Sequence, residues 1–139
     1  WLLKAISLID LTTLSGDDTQ DRVKRLCSKA KKPVGTDLQR RLGIESLNLS
    51  TAAVCVYHEM LDAACSSLAG TGIHLAAVST GFPAGLSPLP LRIAEIEYSV
   101  AAGADEIDIV ISRRHVLEGN WQACTMKLKP SVKPVAQLI

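Results

Sequence analysis

Short aliphatic runs alternate along the chain with segments whose apolar residues have helical spacing. The runs predict β-strands because they are short, rich in Val, Ile and Ala, and bounded by turn residues; they are Ala5–Leu11, Thr51–Tyr57, Ile73–Thr80 and Glu106–Ile111. Strands that alternate with helices favour a parallel sheet with right-handed crossovers. The pattern therefore predicts the α/β fold class.

The segments between the strands place apolar residues on one helical face. The first is preceded by the N-cap candidates Asp17, Asp18 and Thr19, has its stripe at Val23, Leu26, Cys27 and Ala30, and ends at Pro33. Two further stripes are Met60, Leu61, Ala64 and Leu68, closed by Gly70, and Ile93, Ile96 and Val100, closed by Gly103. A short helix over 37–42 and a weaker helical signal over 121–129 complete the pattern.

The run Glu106–Ile111 sets an acid, Asp108, among aliphatic residues. Burial of such a carboxylate costs desolvation free energy, so a buried carboxylate is expected to be paired with another group or to have a catalytic role. Because burial raises the pKa of a carboxyl group, it can exchange protons near neutral pH. Asp108 is therefore a candidate catalytic acid–base, and the alternative is a strand-end carboxylate that binds loop amides or an arginine.

Polar or reactive residues also occur in the other predicted strands. Asp10 is placed at the C-terminal end of the first strand with Thr12 on the same face, Cys55 lies in the second, and the loop Gly81–Gly85 follows the third. A (β/α) barrel builds its active site at these strand ends. A nucleotide-binding open sheet would instead show a glycine-rich loop after its first strand, where this chain reads LTTLSGDDT.

Composition narrows the function classes. The chain has 139 residues, of which 47% are hydrophobic and 21% charged, and a net charge of +1, so it predicts one globular domain and no nucleic-acid or acidic-membrane partner. No apolar run approaches the roughly 20 residues of a membrane span, and the opening segment reads as a strand rather than a signal peptide. The cysteines and histidines lack metal-ligand spacing, so we expect reduced thiols, no metal and a cytosolic protein.

Together, these motifs resemble the deoxyribose-phosphate aldolases, which are class I aldolases on a (β/α)8 TIM barrel. The matching segments, in the family's order, are LIDLTTLSGDDT (Leu8–Thr19), TAAVCVY (Thr51–Tyr57), GFPAG (Gly81–Gly85) and GADEIDIVISR (Gly103–Arg113). The match extends over about 1–121, residues 123–139 diverge, and the insertion 36–50 is similar to the longer animal-type version. The resemblance implies that residues 1–139 form a single partial domain, the first four β/α units of an incomplete barrel.

The resemblance also implies a reaction. Enzymes of the family cleave 2-deoxy-D-ribose 5-phosphate to D-glyceraldehyde 3-phosphate and acetaldehyde through a lysine Schiff base, without a metal or other cofactor. The substrate partner would be a small phosphorylated sugar, and the setting would be deoxyribonucleotide catabolism in the cytoplasm. A homo-oligomer is compatible with the full-length family.

Individual residues match the family's motifs. Asp108 matches the proton-relay aspartate; the pocket matches are Asp10 and Thr12 as polar residues, Cys55 as the pocket cysteine, and Leu14 and Phe82 as apolar walls. For Cys55 the alternative is a small buried hydrophobic residue, and for Phe82 it is packing within its loop.

The family's catalytic lysines lie on the sixth and seventh strands, so we expect no Schiff-base lysine in this chain. Lys133 is only a loose match to a fifth-strand lysine. The chain is interpreted as the N-terminal half of an aldolase, inactive alone. The alternatives are a non-catalytic half-barrel that assembles with another chain or regulates the full-length enzyme, and a different Schiff-base aldolase, which the run Leu8–Thr19 disfavours.

Overall fold

The computed structural model describes residues 1–132 of the chain. Its strands are β1 (Asp10–Thr12), β2 (Ala53–Tyr57), β3 (His74–Ser79) and β4 (Glu106–Ile109). Its α-helices are α1 (Leu2–Ile6), α2 (Gln20–Lys31), α3 (Thr36–Leu42), α4 (Leu61–Leu68), α5 (Leu89–Ala101), α6 (Arg113–Leu117) and α7 (Trp121–Val132). Single 3-10 turns lie at Glu45–Leu47 and His58–Met60.

The four strands form one parallel sheet in the order β1-β2-β3-β4. Thr12 pairs with Cys55, Cys55 with Ala76, and Ala76 with Glu106, so these residues form one row across the sheet. Consecutive parallel strands joined through helices are the arrangement that the alternating pattern predicts. The α/β class is confirmed, as are the second, third and fourth predicted strands with their ends trimmed by one or two residues.

The first predicted strand, Ala5–Leu11, is wrong over most of its length. Residues Leu2–Ile6 form α1, and the strand begins only at Asp10, where Leu11 pairs with Val54. An aliphatic run does not by itself distinguish a helix from a buried strand. Leu3 and Ile6, three residues apart, are the half-buried members of α1, whereas Leu2 is 83% exposed. Helical period therefore fits this segment better than alternation.

The sheet has two faces of different character. The outer face consists of the alternate strand residues on the helix side, Leu11, Val54, Val56, Leu75, Ala77, Ser79, Ile107 and Ile109. It packs against the apolar sides of α2 and α4, which contribute Val23, Cys27, Ala30, Leu61, Ala64 and Leu68 to one core cluster. The predicted stripes of these two helices thus form the main core, and burial of aliphatic side chains is its principal source of stability.

The helix boundaries follow from local chemistry. Thr19 is the N-cap of α2, and its hydroxyl accepts a hydrogen bond from the Arg22 amide at 3.3 Å, as predicted. In α5 the fully buried residues are Arg92, Ile96 and Ser99, spaced i, i+4 and i+7. The predicted stripe therefore holds at Ile96 but is shifted by one position elsewhere. Within residues 1–132 no helix is both long and apolar enough to cross a membrane.

Candidate active site

The candidate site lies on the inner face, which we define as the opposite set of alternating strand residues. Its members are Asp10, Thr12, Ala53, Cys55, Tyr57, His74, Ala76, Val78, Glu106 and Asp108. Register partners in a parallel sheet point to the same side. Asp10, Thr12, Cys55 and Asp108 therefore share a face, as the alternation predicts.

Cys55 and Asp108 are in direct contact across the sheet. The thiol of Cys55 donates to Oδ2 of Asp108 over a distance of 3.6 Å, within reach for a sulfur donor. Burial, together with the nearby Asp108 carboxylate, raises the pKa of Cys55 to about 12. The thiol is therefore protonated near neutral pH, where it can act as a hydrogen-bond donor but not as a thiolate nucleophile.

Asp108 itself is exposed, which corrects the prediction of a buried carboxylate. The aliphatic neighbours that suggested burial, Ile107 and Ile109, point to the outer face, while Asp108 points to the inner one. No described residue covers the inner face at this position, so water reaches the carboxylate. The aliphatic neighbours of Asp108 in β4 therefore indicate burial of the outer face and not burial of the acid.

An apolar wall stands beside the Cys55–Asp108 contact. Leu14, Tyr57 and Phe82 pack against a small buried cluster of inner-face residues, Cys55, Ala76 and Val78. The rings of Tyr57 and Phe82 meet edge to face with centroids 5.9 Å apart. The predicted wall residues Leu14 and Phe82 therefore lie against the cluster that contains Cys55, and Tyr57 packs there too, although the sequence motifs did not single it out.

On the inner face Thr12 lies in the same row as Cys55, and Asp10 lies two residues before it on β1. Asp10 is the first residue of β1, not its C-terminal end, because the strand begins there; it pairs with Ala53 and is exposed. The Thr12 hydroxyl donates to the Asp10 carbonyl oxygen at 3.0 Å. On the same face, Nδ1 of His74 lies 2.7 Å from Oε1 of Glu106. These two rows of the inner face therefore carry two carboxylates and one imidazole among small residues.

The loop after β1 is held by Asp18. Its carboxylate accepts hydrogen bonds from the Thr13 hydroxyl at 2.9 and 3.0 Å and from the Ser15 amide at 3.0 Å, and its side chain is 3% exposed. Burial pushes the pKa of Asp18 upward, but these hydrogen bonds and the pairing with Arg22 outweigh it, so the pKa is lowered. The ionised Asp18 fixes one edge of a cavity of about 290 Å³ that Tyr57 and His58 also line.

The lysines whose side chains the structure describes belong to helices and their caps, not to the strands of the inner face. They are found on α1, on α2 and at its C-cap, at Lys4, Lys24, Lys29, Lys31 and Lys32. Lys133 lies outside the described residues. Among residues 1–126, whose side chains the structure describes, no lysine is placed to form a Schiff base beside Asp108.

Two residues near the site escaped the sequence patterns. Arg92 and Thr80 are buried, and both hydrogen-bond to Val110, just after β4. A charged residue in an amphipathic helix is normally assigned to the solvent side. The spacing of Arg92 with Ile96 and Ser99 was the available signal, since all three fall on one helical face.

The sheet has consecutive parallel strands, helices on its outer face and polar groups on its inner face. These features define a (β/α)-barrel class of protein, of which the described residues contain four strands. No protein-family model matches the chain. The chain is 52% identical over 125 residues to deoxyribose-phosphate aldolase of Mus musculus and 50% identical over 125 residues to that of Homo sapiens. Both alignments cover 88% of this chain but only 39% of the relative. The chain is therefore similar to the N-terminal part of these deoxyribose-phosphate aldolases and spans less than half of their length.

Solved structures agree on the fold. A Coccidioides immitis protein provisionally named deoxyribose-phosphate aldolase superposes with a TM-score of 0.80 at 22% identity, over 98% of this chain and 47% of its own. Deoxyribose phosphate aldolase of Aeropyrum pernix superposes with a TM-score of 0.60 at 20% identity, over 93% of this chain and 50% of its own. The four β/α units therefore correspond to about half of these structures.

Proposed function

We propose that this chain supplies the first four β/α units of an enzyme that cleaves 2-deoxy-D-ribose 5-phosphate to D-glyceraldehyde 3-phosphate and acetaldehyde. The observation that carries the proposal is the contact between Asp108 and Cys55 on the inner face, beside the apolar wall of Leu14, Tyr57 and Phe82. The similarity to the mammalian aldolases supports the same reaction, although it covers only 39% of their length. The proposed setting is cytoplasmic deoxyribonucleotide catabolism.

In this proposal Asp108 is the catalytic proton relay. Its carboxylate is open to the inner face and has the Cys55 thiol as a donor on one oxygen, which orients it and leaves the other oxygen for substrate or water. Leu14 and Phe82 would pack against the apolar part of the sugar, and Asp10 and Thr12 would contact its polar groups. No metal or other cofactor takes part.

The lysine that forms the Schiff base must come from outside the described inner face. A nucleophilic lysine has to lower its pKa from about 10.4 toward 7, which corresponds to about 5 kcal/mol. The inner face carries the carboxylates Asp10, Glu106 and Asp108, and nearby negative charge raises the pKa of a lysine. The remaining strands would therefore supply both the lysine and the cations that activate it.

The completed enzyme is proposed to be a homo-oligomer, because an aldolase of the same fold, from Aeropyrum pernix, is described as a tetramer. Residues 1–139 are proposed to belong to one barrel domain, with 123–139 as its divergent part.

A chimera tests the proposed reaction. Residues 1–121 would replace the matching part of the mouse aldolase, and cleavage of 2-deoxy-D-ribose 5-phosphate would be measured by coupled detection of D-glyceraldehyde 3-phosphate. We expect turnover by the chimera, and no borohydride-trapped acetaldehyde adduct on the 139-residue chain alone. A folded chimera without turnover would overturn the proposal, and a stoichiometric adduct at one lysine of the isolated chain would overturn the assignment of the lysine to another segment.

A second candidate function is a non-catalytic half-barrel that binds another chain. It is favoured by the two edge strands of the described sheet, β1 and β4, since an unpaired strand edge is a template for pairing. Sedimentation of the chain with and without the full-length mouse aldolase distinguishes the candidates. Formation of a stable complex that changes the aldolase's turnover would favour the regulatory role.

A further inference from the structure

Thr80 adopts a backbone conformation that is costly for its residue type. It follows β3 directly, is fully buried, and has a φ of +64°. A β-branched residue in the left-handed region is a genuine outlier and persists only where its surroundings fix it. The reason for this conformation should therefore be visible in the contacts of its side chain.

The Thr80 hydroxyl makes two hydrogen bonds with one residue on the neighbouring strand segment. It accepts from the Val110 amide at 2.6 Å and donates to the Val110 carbonyl oxygen at 3.0 Å. The last backbone pair of β3 and β4 is Ser79 with Ile109, immediately before these residues. The Val110 amide also donates to the Ser79 carbonyl oxygen at 3.4 Å, so the side chain of Thr80 reinforces the sheet where its backbone ladder ends.

Arg92 of α5 binds the same segment from the outer side. Its guanidinium donates to the Val110 carbonyl oxygen and, at 3.1 Å, to the hydroxyl of Ser112. The residue is 2% exposed, and burial lowers the pKa of its guanidinium. Removing a cation from water is costly, and these hydrogen bonds of its two terminal nitrogens offset part of that cost.

Glu95, three residues along α5, binds the loop that follows β3. Its Oε2 accepts a hydrogen bond from the Gly81 amide at 2.8 Å. Gly85 closes the same loop against β4, since a Cβ there would lie 2.9 Å from Cγ1 of Val110. The helix α5 therefore ties together the segments that follow β3 and β4. We call the group Thr80, Arg92 and Val110 the clasp.

The clasp lies close to the candidate site along both strands. Val110 is two residues beyond Asp108, and Thr80 is two residues before Phe82. We propose that Thr80 and Arg92 are positioning residues that hold the end of β4 so that the Asp108 carboxylate faces Cys55. The relevance of this positioning to catalysis rests on the proposed function, whereas the positioning itself is tested without a measurement of turnover.

The thiol of Cys55 serves as the reporter. The carboxylates that act on it are Asp108 and Glu106 of β4 and Asp10 of β1. If Asp108 moves away, the thiol loses one of these three negative neighbours and its hydrogen-bond acceptor, so the pKa of Cys55 falls, although burial still keeps it raised. Alkylation of the 139-residue chain by iodoacetamide, resolved by peptide mass spectrometry between pH 8 and 10, follows this change because only the thiolate reacts. The exposed Cys65 is the internal control.

We expect Asp108→Asn to accelerate Cys55 alkylation at pH 9 by about tenfold, the effect of one pKa unit. Thr80→Val keeps the shape of the side chain but removes its two hydrogen bonds, and Arg92→Met keeps the stem but removes its donors. Each should accelerate alkylation several-fold in the same direction, while Thr80→Ser, which retains the hydroxyl, should behave as the unmodified chain. In the Asp108→Asn background, Thr80→Val should add nothing.

A lower melting temperature for Thr80→Val with an unchanged Cys55 pH profile would show that the clasp is only structural, and would overturn the proposal. Equal acceleration with and without the Asp108 carboxylate would overturn it too, because the thiol would merely have become exposed. Ser112→Ala removes a single hydrogen bond of Arg92 and is interpreted in the same way should Arg92→Met not fold. An inactive chimera with the expected alkylation pattern would refute the enzymatic function and leave the positioning role intact.

Discussion

The two faces of the sheet alternate along the same strands but have different tasks. In β2, Val54 and Val56 are completely buried under α2 and α4, while Cys55 between them points to the polar inner face. Burial of the outer face stabilises the fold, whereas the inner face carries the polar and ionisable groups of the candidate site. Because adjacent residues of one strand point in opposite directions, substitutions on the two faces should have separable effects.

The largest effect is expected from removing the inner-face acid. In the chimera, Asp108→Asn should lower kcat by about 10²–10⁴, or roughly 3–5 kcal/mol of barrier, because an amide cannot relay a proton. The melting temperature should change little, since Asp108 is exposed. Glu106→Gln, on the same strand and face, is the matched control. Near-normal turnover in a destabilised protein would instead identify Asp108 as a structural hydrogen-bond partner.

Truncation on the outer side should give the reverse result. Leu61 is completely buried in the cluster between α4 and the sheet, so Leu61→Ala should reduce the free energy of unfolding by about 2–5 kcal/mol. Urea denaturation of the chimera measures this change, and turnover per folded molecule should be preserved. Leu86→Ala, at a position 76% exposed, should change stability by less than about 0.5 kcal/mol. Similar losses at both positions would show that the core assignment is wrong.

A smaller effect is expected at the border of the two faces, in the loop after β1. The pKa of Asp18 is lowered relative to its ordinary value of 3.8, so its contribution to stability is complete above that value. It should be lost as pH falls through the lower pKa of the folded state. Melting temperatures recorded from pH 2 to 6 should therefore show a weaker acid dependence for Asp18→Asn. The exposed Asp21→Asn is the control, and an identical acid dependence in both variants would contradict this role.

The sequence predicted the structure best where burial requires apolar residues at a regular spacing. Strands β2 to β4 and the stripe of α4 were predictable because their aliphatic residues must be covered on the outer face. The first strand was not, since the residues of α1 are as aliphatic as a strand and only the pairing partner Ala53 determines where β1 begins. The inner-face grouping of Cys55 and Asp108 followed from alternation, but the exposure of Asp108 depends on what lies opposite it.

The residues of the clasp were missed for a different reason. A buried arginine and a threonine with positive φ are both exceptions to residue preferences. Local sequence patterns predict only the preferred burial and backbone conformation of each residue type. Their stabilisation comes from contacts between segments distant in sequence, such as Arg92 with Ser112. Only the tertiary structure contains that information.

The hydrogen bonds around Val110 and Gly81 also have a consequence for amide exchange. Both amides lie outside the regular strands, yet one donates to the Thr80 hydroxyl and the other to the Glu95 carboxylate. They should exchange with solvent deuterium as slowly as amides within β3, rather than at the rate of ordinary loop amides. The segments that follow β3 and β4, which border the candidate site, would then open only when the sheet itself unfolds.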